Sequence, residues 1–262
     1  MAQSNRKQSM ERLQQRHKKK ERPQDKIDRK IVTARDLFLD LALILILSIT
    51  FWFTMRMNAG AVSAILQNPE RSLLVRSAVL CLFQAGMAGL AALYVMFHRY
   101  ETVRDHGVFW GEKTPLALGL SVLCFVPVLL VRIMEGGFSV SPFKRVPLMD
   151  EVAANTDGTA AVVMALVFLV FGLVQGLAYV VFADKVNAKF PKRIASLSWL
   201  SWGALAGAAL FVWMSSVWIG FIPSVASGIA AFLMMFGLLT VRDLTGCSWG
   251  VIGVILLLWN MC

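Results

Sequence analysis

Seven long apolar stretches, joined by short polar connections, limit what this chain can fold into more than any motif in it. They run from Leu37 to Met55, Leu73 to Phe97, Leu116 to Ile133, Thr159 to Phe182, Leu197 to Ile219, Ser224 to Val241 and Cys247 to Asn260. Most approach the roughly 20 residues that a helix needs to cross about 30 Å of hydrocarbon. Hydrophobic residues make up 57% of the chain and charged ones 16%, a balance that calls for lipid around the helices. Backbone groups in lipid must be paired internally, which long helices achieve; the short alternating segments of a membrane barrel are missing here. The expected fold is all-α: a polytopic helical membrane domain over residues 36–262 with about seven transmembrane helices. The last stretch is the shortest, so counts of six and eight stay open beside seven.

A basic head precedes the first stretch. Residues 1–35 hold twelve Lys or Arg against four acids. This composition reads as a disordered tail held in the cytoplasm by the positive-inside rule. Seven spans then place the C-terminus outside the cytoplasm, in an integral protein of the plasma membrane. Arg99, Arg104, Lys113, Lys185, Lys189, Lys192, Arg193 and Arg242 fall on the inner side in that arrangement. Arg56, Arg71, Arg76, Arg132, Lys144 and Arg145 fall near the outer one. Within the head, Lys18, Lys19, Lys20 and Arg22 are candidates for contact with anionic lipid headgroups, each basic residue near such a surface contributing about 1 kcal/mol. No aromatic stacking platform accompanies them, which argues against a nucleic-acid partner. No cleavable signal sequence is expected: the head is too long for an ordinary n-region. Cys81, Cys124, Cys247 and Cys262 show no metal-binding spacing and read as small buried hydrophobes.

Polar residues inside or beside the spans are few. Asp36 and Asp40 share one helical face near the interface, where solvation and local pairing with Arg35 account for them. His98 and His106 share a polar connection with Glu101, Asp105 and Glu112, too loosely spaced to predict the three or four convergent ligands of a metal site. Arg132 and Glu135 are three apart and are expected to pair at the outer end of the third span. Gly86 with Gly89, and Gly203 with Gly207 in GxxxG form, offer small faces for close helix approach. The connection from Glu135 to Gly158 exceeds what a turn needs and is expected to fold over the outer face or meet another protein.

Near the end of the chain stands Thr245-Gly246-Cys247-Ser248-Trp249-Gly250. With the helix that follows, this segment, carried by Thr245, Gly246 and Trp249, resembles the opening of the last conserved helix of the CPBP family, the membrane-embedded CAAX-prenyl-protease and bacteriocin-processing-like enzymes. In that family the helix bears a His and, four residues later, an Asn or Asp. The matching positions here are Ile255 and Trp259; Asn260 is one residue late and is expected on another face. The family's paired glutamate and following Arg match Gln175, Gly176 and Val180, and its Phe with a His four later matches Phe211 and Ser215. The resemblance covers residues 170–260. It implies water activation for peptide hydrolysis in the family, but none of these side chains is a carboxylate or imidazole that performs that work. The resemblance therefore implies a catalytically inactive relative.

The expected function is a non-enzymatic membrane scaffold or regulatory subunit that binds another integral membrane or envelope protein, with no cofactor and no metal. Two alternatives remain open. A transporter or lipid-handling protein would use Trp199, Trp202, Trp213, Trp218 and Trp249 as groove lining, with Gln84, Gln175, Ser215 and Ser216 as polar groups. An intramembrane metalloprotease with displaced active residues would fall back on His98, Glu101 and Glu112.

Overall fold

The computed structural model describes residues 34–136, 146, 148–154, 158–190, 200–216 and 224–260. Lys18, Lys19, Lys20 and Arg22 lie outside the described residues, as do Lys144, Arg145, Lys192, Arg193, Trp199, Trp218 and Cys262. Among the described residues the chain is helical throughout, with no strand.

In chain order, α1 covers Ala34–Met57 and α2 covers Ala59–Gln67. Then come α3 (Leu73–Ala88) and α4 (Leu90–His98), α5 (Thr114–Cys124) and α6 (Val126–Met134), and a short α7 (Met149–Ala154). Helix α8 (Gly158–Phe168) passes through a π-helical stretch, Leu169–Val174, into α9 (Gln175–Lys189). Helices α10 (Trp202–Ser215) and α11 (Val225–Thr245) follow, and α12 (Trp249–Gly253) runs into a second π-helical stretch, Val254–Trp259. Four of the resulting segments are long and apolar enough to cross a bilayer: Ala34–Met57, Thr114–Met134, Gly158–Lys189 and Val225–Thr245. The pair α3 and α4 makes a fifth if its two halves count as one span, and Trp202–Ser215 and Trp249–Trp259 are apolar but shorter. Each predicted stretch is thus helical where described, but only four or five have the length of a span.

Local chemistry explains the boundaries. Ser72, Ser201 and Ser224 each turn a side-chain oxygen onto a backbone N–H in the first turn of α3, α10 and α11. Gly246 ends α11 at φ +73°, in the left-handed region that glycine enters without steric cost, and its N–H closes on the Arg242 carbonyl at 2.7 Å. The apolar stretch from Leu73 to Phe97 is broken: α3 and α4 meet at a 60° bend. Gly89 sits at the break, and the Val174 side chain packs into the space where a Cβ would stand.

The core lies among α9, α10 and α11. Gly203 faces Ala183 and Asn187, while Gly207 faces Leu239 with the Ala183 methyl and the Tyr179 carbonyl 3.8 Å from where its Cβ would be. These small faces bring the backbones close enough for dispersion to hold helices together in lipid, as their spacing predicts. At the end of the bundle where α3 begins, Arg76 is buried, donates to the Leu66 carbonyl at 3.0 Å and pairs with Glu151 of α7. That part of the long connection is therefore tied down against α3. At the same end Glu135 accepts hydrogen bonds from Ser224 and from Ser227, the latter at 3.0 Å, so its role reaches beyond the expected pairing with Arg132.

Candidate functional site

Two polar arrangements stand out in this apolar bundle. The first is a connected set of charges at the end where α4 finishes and α5 begins. Arg99 grips Asp40 of α1 through Nε (3.0 Å) and a terminal nitrogen (2.8 Å). Lys185 of α9 stands 3.7 Å from the same carboxylate and pairs closely with Glu101. Glu101 reaches His106 Nε2 at 3.1 Å, and His106 Nδ1 meets Asp184 of α9 at 2.8 Å. Arg242 of α11 clasps Asp184, with one bond at 2.7 Å, and also contacts Asp243 at 3.2 Å. Asn187 then links Asp243 to the backbone N–H of Gly203 at the start of α10.

Four acids (Asp40, Glu101, Asp184, Asp243) face three permanent cations (Arg99, Lys185, Arg242). A proton on His106 balances the set. Burial of His106 works against that proton, but hydrogen bonds to Asp184 and Glu101 and the charges of both outweigh it and lift the imidazole pKa above 6.5. Burial likewise disfavours ionised Glu101. His106 and Lys185 more than offset it, by hydrogen bonds and by charge, and hold the carboxyl below its ordinary value.

This cluster corrects several expectations. Asp40 is buried, and its partners lie far along the chain rather than beside it. The connection from Arg99 to Lys113 is anchored by His106, not loose. His98 is exposed and stacks on Tyr94 with ring centroids 5.7 Å apart, away from the cluster. The fallback set of His98, Glu101 and Glu112 therefore does not converge, and among the described residues no group of three His, Cys, Asp or Glu side chains is placed to hold a metal.

The second arrangement contains the family-like positions. Gly203 lies against Ala183 and Asn187, Gly207 against Ala183 and Tyr179, and Phe211 against Tyr179 with centroids 5.3 Å apart. Ser215 stands one turn beyond Phe211 along α10, and Gln175 one turn before Tyr179 along α9. Both are buried. Trp259 closes on Phe211 from the last helix, centroids 5.0 Å apart, making a continuous edge-on stack with Tyr179. Gly176 packs on Ile252, and Val180 and Ile255 are fully enclosed. Side chains of α9, α10 and the last helix thus meet, and aromatic rings fill the space between them.

Asn260, one residue later in the chain than Trp259, has its own partners. It is buried, and its amide donates to the Ile255 carbonyl at 2.8 Å and the Phe171 carbonyl at 3.2 Å. It directly follows the π-helical stretch Val254–Trp259. Phe171 itself lies in the other π-helical stretch, where the regular α-helical bonding is interrupted.

The family-like segment also has a visible local task. Thr245 donates to the Val241 carbonyl at 2.8 Å, and Ser248 receives the connection from α4, its N–H donating to Gly107 at 2.9 Å and its hydroxyl to His106. Gly107, at φ +79°, leaves no room for a Cβ beside Gly246. Two cavities flank this end of the bundle. One, of about 600 Å³, is an apolar groove lined by Leu41, Leu45, Phe182, Val186, Phe190 and Trp202, among others. The other, of about 640 Å³, is lined by Arg104, Val108, Phe109, Trp110 and Trp249. Of the remaining candidate tryptophans, Trp213 meets Trp52 of α1 edge-on at 5.7 Å. Cys81 and Cys247 are buried, and Cys124 is half-buried. Comparison with known proteins brought no match, whether to a family model, a curated protein or a solved structure.

Proposed function

We propose that this protein is a non-enzymatic membrane scaffold or regulatory subunit, built on a helical frame akin to that of the CPBP proteases, that binds another integral membrane or envelope protein. The observation that carries the reading is the packed meeting of Phe211 and Trp259, two of the family-like positions, with Tyr179 beside them. In this reading the meeting is made by rings, and no carboxylate or imidazole stands among the family-like positions to activate water.

In this reading all seven apolar segments lie across the plasma membrane, the two short ones spanning with the help of flanking residues. The basic head and the 99–113 connection are cytoplasmic, and the end of the last helix is extracytoplasmic. The charged cluster then fastens the inner ends of α1, α4, α9 and α11 to one another. Gentle solubilisation followed by mass analysis tests the proposal: a stoichiometric membrane partner is expected. A solitary protein with peptidase activity that disappears on Gln175→Leu would overturn it.

The apolar groove between α1, α9 and α10 favours a second reading, lipid handling. A groove of about 600 Å³ falls within the size range of ligand pockets and has no polar group to select a solute. Transfer of labelled lipid between vesicles, lost on Leu205→Trp, would move the assignment to that reading.

A further inference from the structure

The cavity of about 640 Å³ beside Trp249 has a chemical character different from the rest of the bundle. Arg99 and Arg242 are consumed by Asp40 and Asp184, but the exposed Arg104 guanidinium makes no hydrogen bond or ion pair with another described residue. The acids nearest in sequence are committed elsewhere. Glu101 goes to His106 and Lys185, and Asp105 accepts from the N–H and hydroxyl of Thr102. The Trp249 indole N–H is shielded from solvent and has no acceptor. The lining therefore offers a cation and a spare donor, with no acid among its residues.

Its walls and rim are apolar. Val108, Phe109 and Trp110 line it; Trp110 and Tyr100 on the same connection are 75% and 90% exposed, and Phe97 in the last turn of α4 is 67% exposed. Bare in water, such rings carry a hydration cost; at the level of lipid headgroups they are favourably placed. The connection starts and ends on apolar helices, α4 and α5, and so lies at that level. Ser248 pins it through His106 and Gly107, so the cavity is formed before any ligand arrives.

We propose that this cavity binds the phosphate-bearing headgroup of an anionic membrane phospholipid, with Arg104 pairing the phosphate, the Trp249 indole donating to it, and the acyl chains leaving along Phe109 and Trp110. The proposal rests on the reading of α4 and α5 as membrane helices, and not on the scaffold assignment. A soluble phosphate ester shares the recognised chemistry, and the experiment separates the two.

The test uses the full chain in mild detergent, offered equal amounts of phosphatidylglycerol and phosphatidylcholine, with bound lipid counted by native mass spectrometry. One phosphatidylglycerol is expected to be retained in preference. Arg104→Gln should lower that preference about fivefold, the effect of one basic residue at an anionic surface. Trp249→Phe, which keeps the ring but removes the donor, should lower it too. Arg56→Gln, at an exposed position on the opposite end of α1, should not. Equal retention of the two lipids would overturn the proposal, as would an unchanged Arg104→Gln or an equal loss in Arg56→Gln. Displacement of the lipid by excess glycerol phosphate would reassign the cavity to a soluble phosphate ester and overturn the lipid assignment. Extraction of the protein from membranes by alkaline carbonate would instead bring down the membrane reading beneath it.

Discussion

His106 Nδ1 lies 2.8 Å from a carboxylate oxygen of Asp184, and this contact joins the α4–α5 connection to the C-terminal end of the longest apolar segment. Its other ring nitrogen faces Glu101. An imidazole between two carboxylates donates to both only when it is protonated. Loss of that proton leaves one bond without a donor and one acid in the cluster without a counter-charge.

A pH dependence follows, with a definite sign. The folded-state pKa of His106 is raised, so its contribution is fully present below the unfolded value of about 6.5 and is lost as pH rises through the folded value. Glu101 is depressed, so its contribution is present above about 4.5 and is lost as pH falls through its folded value. Thermal stability in detergent should therefore be greatest between about pH 4.5 and 6.5 and decline on the alkaline side. His106→Gln should flatten the alkaline decline. NMR of the histidine rings provides the direct check: a His106 titration at or below the ordinary value contradicts the prediction.

Asp40→Asn removes the acid that Arg99 and Lys185 share and leaves both cations in a buried site. Breaking a buried pair from one side costs about 3–5 kcal/mol. The variant should melt well below the parent. Glu112→Gln, at an exposed position on the α4–α5 connection, should change the midpoint little. Equal effects of the two would show that Asp40 is not the point at which α1 is fastened.

Two glycines with opposite surroundings test the helix register. A methyl at Gly203 would collide with the Ala183 carbonyl and the Asn187 side chain, whereas one at Gly119 meets nothing within 4 Å. Gly203→Ala should destabilise by about 1–3 kcal/mol through forced separation of α9 and α10. Gly119→Ala should be neutral or slightly stabilising. Denaturation in mixed micelles reads both.

Phe211 carries the ring stack, since it touches Tyr179 on one side and Trp259 on the other. Truncation to Ala should cost about 3–5 kcal/mol. Exposed Phe53 of α1, cut in the same way, should cost far less. The same Phe211→Ala cavity offers a chemical check on the scaffold reading: peptidase activity should not appear when the space is opened, because no acid or imidazole lines it.

The helices were legible because they depend on local pattern. Apolar length marked the segments, and Gly203 with Gly207 marked the close face. The charged cluster was hidden because most of its bonds join residues 58 or more positions apart, and each member alone resembles an interface charge. One signal was present. Asp184 and Lys185 stand side by side beyond an apolar run, where an adjacent acid and base need distant partners. The π-helical stretches left no mark at all: Leu169–Val174 and Val254–Trp259 are ordinary apolar sequence. Gly89 was visible as a small residue, but its use as a bend depends on Val174 from another segment.

The balance of four acids with three cations and one protonated imidazole governs what the molecule presents at a distance. Opposite charges only a few ångströms apart cancel as seen from outside, and their combined potential dies away faster than that of any single ion. An approaching molecule would feel Arg104 before it felt the cluster. Removal of one proton from His106 changes this: the set becomes a net monopole, perceptible over a screening length of about 8 Å at physiological salt. One ring nitrogen thereby sets whether the cluster itself is electrically quiet or negative.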